Sequence, residues 1–188
     1  MQCDPVADRI NSYALVSYIP GSLGNFITRL RKELVTGCVA RSHVSILPPR
    51  PLRGDPDVVA DQIRASLLPF SPFEIDMPRI GVFEQTSVIF CEIGAGHDEL
   101  IELHNAMNTN GLAYDEPFEY HPHVTLAQGF DRENLEDIYE MALRRWKEEA
   151  LPSHVLIENV TFVQNTAQNL WIDLQESELR GLATLPVR

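Results

Sequence analysis

The chain is poor in cysteine and in basic charge, and it has no long apolar run. Its three cysteines, Cys3, Cys38 and Cys91, are odd in number and share no metal-ligand spacing, which argues against a disulfide framework or a zinc site. Reduced thiols in a cytoplasmic protein are the expectation. No stretch approaches the roughly 20 apolar residues that a membrane helix needs. Met1-Gln2-Cys3-Asp4-Pro5 has no basic segment leading into an apolar one. No membrane is expected as a partner. With 15 basic residues against 27 acidic ones the formal net charge is −12, which argues against a non-specific binder of long nucleic acid, whose affinity comes from neutralising phosphates. A glycine-rich phosphate loop and a Walker-type lysine are also missing, so hydrolysis of nucleoside triphosphates has no support.

What is present is ample apolar material, unevenly charged. At 188 residues and 44% hydrophobic, the chain can bury a sizeable core in one domain or in two closely joined lobes. Residues 9–53 carry seven bases (Arg9, Arg29, Arg31, Lys32, Arg41, Arg50 and Arg53) and one acid, Glu33, whereas residues 54–188 carry eight bases and 24 acids. Arg29, Arg31 and Lys32 read as decoration on the solvent face of a helix.

Periodicity and breakers divide the chain. A polar lead-in over residues 1–11 precedes a strand over 12–19, closed by Pro20-Gly21. Leu23, Phe26, Ile27, Leu30 and Leu34 recur at helical spacing, which predicts a helix over 22–35. A strand over 41–47 ends at Pro48-Pro49. A helix over 57–68 follows, then two extended segments, 73–83 and 87–93, that read as a hairpin. A helix over 97–108 and a strand over 118–127 come next. Asp131 is placed to cap a long helix reaching Glu149. Strands over 155–163 and 169–174 close the chain before a polar tail. The order strand, helix, strand, helix, strand occurs from 12 to about 83 and again from 87 to about 163, which implies an internal duplication about a pseudo-twofold axis.

The middle strand of each half carries the same three-residue pattern. One is Ser42-His43-Val44-Ser45-Ile46-Leu47; the other is Tyr120-His121-Pro122-His123-Val124-Thr125-Leu126-Ala127. Residues i and i+2 of a strand leave the same face, so His43 and Ser45 point one way, as do His123 and Thr125, while the valines between them point into the core. Two imidazoles titrating near neutrality can serve as base and acid, and two hydroxyls can donate to the non-bridging oxygens of a phosphoryl group. His121 shares the face of His123, and Arg41 shares that of His43; both are candidate substrate-binding residues. His97 and His104 fit the packing face of their helix, and His154 has no obvious partner. A metal site built on His121 and His123 lacks a carboxylate or cysteine at ligand spacing.

The paired His43-Val44-Ser45 and His123-Val124-Thr125, with their separation and the order of elements around them, resemble the two-histidine (2H) phosphoesterase superfamily. That group contains 2′-5′ RNA ligase-like proteins and cyclic nucleotide phosphodiesterases. The likeness runs over residues 13–174. It implies a single domain with a bilobal α+β fold, two antiparallel sheets with flanking helices about a central cleft, and hydrolysis of 2′,3′-cyclic phosphates or related phosphodiesters without metal or other cofactor. Some relatives join or cleave 2′-5′ bonds in RNA. By this resemblance His43 and His123 are catalytic and Ser45 and Thr125 bind phosphate. Where the family often has a serine near the C-terminus this chain has Val163-Gln164-Asn165, so no contact is assumed from that strand. A small cyclic nucleotide or an RNA-end phosphate is the expected partner, with no obligate protein partner. The alternatives are a nucleotide- or RNA-end-binding module of the same fold, without turnover, or a 2′-5′ RNA ligase or phosphodiesterase.

Overall fold

The computed structural model describes residues 8–149 and 151–182. Cys3 and the first seven residues of the polar lead-in lie outside the described residues. In chain order the elements are β1 (Arg9–Tyr18), α1 (Gly21–Leu34), β2 (His43–Arg50), α2 (Pro56–Leu67), β3 (Phe73–Asp76), β4 (Arg79–Phe83), β5 (Val88–Glu92), α3 (His97–Met107), β6 (His123–Ala127), α4 (Leu135–Glu149), β7 (His154–Ile157), β8 (Asn159–Thr166) and β9 (Trp171–Glu178). The fold is α+β. Seven strands form an antiparallel sheet in the order β4-β5-β6-β2-β1-β8-β9, and β3 pairs with β7 in a second antiparallel sheet.

The topology carries a twofold pattern. If β1, α1, β2, α2, β3 and β4 are set against β5, α3, β6, α4, β7 and β8, the two self-corresponding contacts are β2 with β6 and β3 with β7, and both are observed pairs. The pairing of β1 with β8 answers that of β5 with β4. The helices follow the same rule, because α1 packs on β6 and α3 on β2, so each half covers the other's motif strand.

Alternation along β2 and β6 decides the faces. Val44, Ile46, Val124 and Leu126 are at most 1% exposed and join the core with Leu23, Phe26, Ile27 and Leu30 of α1. His43, Ser45, His123 and Thr125 lie half-buried on the opposite face. Among the described residues no helix is long and apolar enough to cross a membrane.

Several boundaries differ from the sequence reading. β2 runs through Pro48-Pro49 to Arg50, because the register against β1 slips between Leu15↔Leu47 and Tyr13↔Arg50 and β6 pairs with β2 only at Val44; the prolines therefore withhold no ladder hydrogen bond on that side. The segment 73–83 is two strands, β3 and β4, parted around Pro78 and assigned to different sheets; the segment 155–163 is divided between β7 and β8 in the same way. β6 starts at His123 rather than at 118. Asp131 makes no side-chain cap; it precedes a 3₁₀ turn, Arg132–Asn134, that leads into α4. Asp55 does cap α2, accepting from the Asp57 amide at 2.8 Å.

The start of β2 is pinned to α1 by close approach. The Ser42 amide donates to Thr28 Oγ1 at 3.0 Å, its hydroxyl donates to Gly24 O at 2.9 Å, and its carbonyl accepts from the Ile19 amide at 3.1 Å. A Cβ at Gly24 would fall 1.8 Å from Ile19 O. Gly24→Ala is therefore expected to destabilise the chain by about 1–3 kcal/mol or more through backbone displacement; a thermal melt within a degree of the wild type would contradict this close approach.

Candidate active site

β2 and β6 meet at a single register pair, Val44↔Val124. Continuing the antiparallel register from that pair sets His43 opposite Thr125 and Ser45 opposite His123. The two histidines thus occupy one diagonal of a square and the two hydroxyls the other. The neighbouring strands extend both rows: Tyr18 of β1 pairs with His43, and Glu92 of β5 pairs with His123.

The backbone fixes the tautomer of both rings. His43 Nδ1 lies 2.8 Å from Arg41 O, and His123 Nδ1 lies 2.7 Å from His121 O. A carbonyl only accepts, so each Nδ1 carries the hydrogen and each Nε2 keeps its lone pair when the ring is neutral. Burial lowers the pKa of His43 to about 4, against the backbone hydrogen bond to Arg41, and the charges of Arg31, His123 and Arg41 lower it further. Burial also lowers that of His123, again against its backbone bond, with His121 and Arg31 adding to the effect. Near neutral pH the unliganded pair is uncharged.

The two flanks of the pair differ. Beside His43, Tyr18 stands edge-on at 6.5 Å between ring centroids, the Arg41 guanidinium lies 3.5 Å over the Tyr18 ring, and Asp173 of β9 accepts from both, from Tyr18 Oη at 2.5 Å and from Arg41 Nη1 at 3.1 Å. Arg41 is therefore at the site's rim, matched by a carboxylate. Beside His123, Phe83 and Phe90 stack at 4.0 Å and present their edges or faces to His121 and His123 at 5.1–5.6 Å. His121 is exposed, just ahead of β6, with His97 6.4 Å away. Glu92 is held by Arg79, whose Nη2 donates to Oε1 at 2.8 Å.

Beyond Val44 and Val124 the strands part, which leaves carbonyls without ladder partners. Tyr120 Oη donates to Ser45 O at 2.7 Å, and Arg31 Nη1 donates to Thr125 O. Tyr120 is itself placed by a buried polar chain. His104 stacks on its ring at 3.9 Å and donates from Nδ1 to Ile46 O at 2.8 Å; Glu116 lies 3.6 Å from His104 Nε2 and pairs with Arg50, whose side chain is fully buried. Arg50 also donates to Asn108 Oδ1 and Pro48 O, each at 2.9 Å. This network ties the irregular segment before β6 to the motif strand of the other half.

Arg31 corrects the sequence reading: it is 2% exposed, not a solvent-face residue. It stands four residues after Ile27 and one after Leu30, on the apolar stripe of α1, and that spacing was its signal. Arg29, by contrast, pairs with Glu149 at the surface. Tyr18, Phe83 and Phe90 carried no motif; only strand pairing brings them to the histidines. A separate concavity of about 560 Å³ between β4 and α4 is lined by Glu84, Glu133 and Glu136 beside Arg132, a poor setting for a phosphate anion. No group of three histidine, cysteine or carboxylate side chains suited to a metal converges among the described residues.

Paired His-x-Ser/Thr strands at the twofold of an antiparallel α+β sheet are the architecture of the two-histidine phosphoesterases. The chain belongs to the 2′-5′ RNA ligase superfamily, whose model matches residues 19–169. It is 32% identical over 101 residues to a Staphylococcus aureus protein named "Putative phosphoesterase", a match covering 53% of this chain and 59% of that protein. The chain thus spans about three-fifths of the length of the curated relatives it matches. Among solved structures it is similar to Escherichia coli LigT complexed with phosphate (TM-score 0.61, 14% identity, 92% of this chain and 98% of that one) and with ATP (TM-score 0.62, 14% identity, 92% and 98%). A conserved protein of unknown function from Agrobacterium tumefaciens also matches, with TM-score 0.54 at 15% identity over 88% of this chain and 85% of that one. These structural likenesses bear on the fold.

The tautomer assignment is directly measurable. Nitrogen-detected NMR at pH 7.5 is expected to show His43 and His123 as neutral rings protonated on Nδ1; a predominant Nε2–H form in either would contradict the carbonyl contacts.

Proposed function

We propose that the chain is a cyclic phosphodiesterase that hydrolyses 2′,3′-cyclic phosphates, or related cyclic phosphodiesters of nucleotides or RNA ends, with its two histidines as base and acid. The observation that carries this reading is the diagonal of two Nδ1–H imidazoles, each with a free Nε2 on the open face and each facing the other strand's hydroxyl. His43, the ring pushed down to about 4, is the base. A water oxygen attacks phosphorus while His43 Nε2 takes its proton. The bond from phosphorus to one ribose oxygen breaks, and His123 Nε2 supplies the proton that the departing oxygen needs. Ser45 and Thr125 donate to the non-bridging oxygens as negative charge gathers there, so the step draws on hydroxyl donors and needs no metal.

Phe83, half-buried beside His123, offers a face or edge to a base, and His121 and Arg41 flank the two ends of the phosphate position. The acidic balance of residues 54–188 favours a small cyclic nucleotide or an RNA end over long nucleic acid. We read the chain as one domain of two duplicated lobes, with both halves of the site supplied by a single copy, working in the cytoplasm where Cys38 and Cys91 stay reduced.

Hydrolysis of a 2′,3′-cyclic nucleotide in EDTA is expected, and His43→Ala and His123→Ala should each lower kcat/KM on the order of 10³-fold or more. Ser45→Ala or Thr125→Val should cost about 10²-fold each. A histidine variant with wild-type rate contradicts the acid–base pair, and tight nucleotide binding without product over hours favours a binding module.

The pH profile has a definite sign. Below its value of about 4, His43 is protonated and cannot accept a proton; above the lowered value of His123, the acid has lost its own. The kcat/KM profile should therefore be a bell with its optimum on the acid side of neutrality. An optimum above pH 8 would contradict it.

A further inference from the structure

Arg31 is buried like a core residue, yet among the described residues no carboxylate pairs with its charge. It is 2% exposed, its Nη1 donates to Thr125 O, and its Nε is buried without a hydrogen-bond partner. Three other arginines of the same basic stretch are matched by carboxylates, Arg29 by Glu149, Arg41 by Asp173 and Arg50 by Glu116. None of the ion pairs among the described residues includes Arg31. A guanidinium cannot shed its proton, so the charge persists. A buried charge without a counterpart is strongly unfavourable until an anion arrives. Arg31 reaches this position from α1, on the helix side of the sheet, where β2 and β6 part between the two histidines.

Building on the two-histidine reading, we propose that Arg31 is the positioning cation of the phosphate site, drawing a phosphoryl anion to the paired histidines from beneath the sheet without touching the reacting atoms. Its charge bears on both rings at once. The other groups facing His43 are Arg41, Tyr18 and His123; those facing His123 are His121, His43, Phe83, Phe90 and Glu92. Tyr18 and Arg41 are committed to Asp173, and Glu92 to Arg79. Among the described residues Arg31 is thus the arginine that acts on both rings and has no carboxylate partner. In the empty site its charge adds to burial in keeping both imidazoles neutral. A bound phosphoryl anion offsets that field, and one ring can then take up the proton that an acid must hold.

The test uses the full chain with Arg31→Met, which fills the same buried space without charge, Arg31→Gln and Arg31→Lys. NMR follows the ring titrations of His43 and His123, and calorimetry at pH 6 follows inorganic phosphate. The Met and Gln variants should raise both titration midpoints and weaken phosphate on the order of tenfold, while Lys restores both quantities toward the wild type. Variants that melt at lower temperature but keep both midpoints and bind phosphate within about twofold of the wild type would make Arg31 merely structural and overturn the proposal. Neither readout requires turnover. If the variants show these shifts and the wild type cleaves no phosphodiester, the Arg31 inference stands and the catalytic one falls.

Discussion

The site depends on how little of β2 and β6 is paired. The two motif strands meet at Val44↔Val124 and then part. One pair suffices to set register, and register sets which side chains share the open face; a slip of β6 by one residue would turn His123 and Thr125 into the core while His43 and Ser45 stayed outside. The parting matters as much as the pair. It frees Ser45 O and Thr125 O, and each is taken by a side chain from another part of the fold, Tyr120 in one case and Arg31 in the other. The seam is held open by polar groups whose own positions are fixed by the Arg50–Glu116–His104 network and by the packing of α1.

Electrostatics then follow from geometry. Two Nδ1–H imidazoles are oriented by carbonyls two residues upstream, in both halves alike. Burial and the nearby guanidinium hold them neutral. The surrounding acids do not relieve this, because Asp173, Glu92 and Glu116 are each engaged by an arginine of their own. The chain as a whole is acidic, yet no carboxylate among the described residues pairs with Arg31 where its two halves meet.

Features of period two and period 3.6 were legible in the sequence. The alternation in His43-Val44-Ser45 and His123-Val124-Thr125 gave the facing of the site, and the repeated order of strands and helices gave the α+β class, because both are local patterns. What was not legible came from pairing between distant segments. The separation of β3 from β4 and of β7 from β8 follows from their partners in two different sheets. Pro48 and Pro49 read as a strand end because nothing local reveals that β6 is absent beside them. Tyr18, Phe83 and Phe90 enter the site by register alone. Arg31 is the instructive case, since its place on the apolar stripe of α1 was visible and its charge invited the opposite reading.

The central claim is that both imidazoles and both hydroxyls converge on one phosphoryl group across the β2–β6 seam. A crystal structure of the chain with inorganic phosphate tests it most directly. The account predicts a phosphate with oxygens about 3 Å from His43 Nε2, His123 Nε2, Ser45 Oγ and Thr125 Oγ1 together. A phosphate bound by only one strand, or seated away from the open face of that seam, would contradict it.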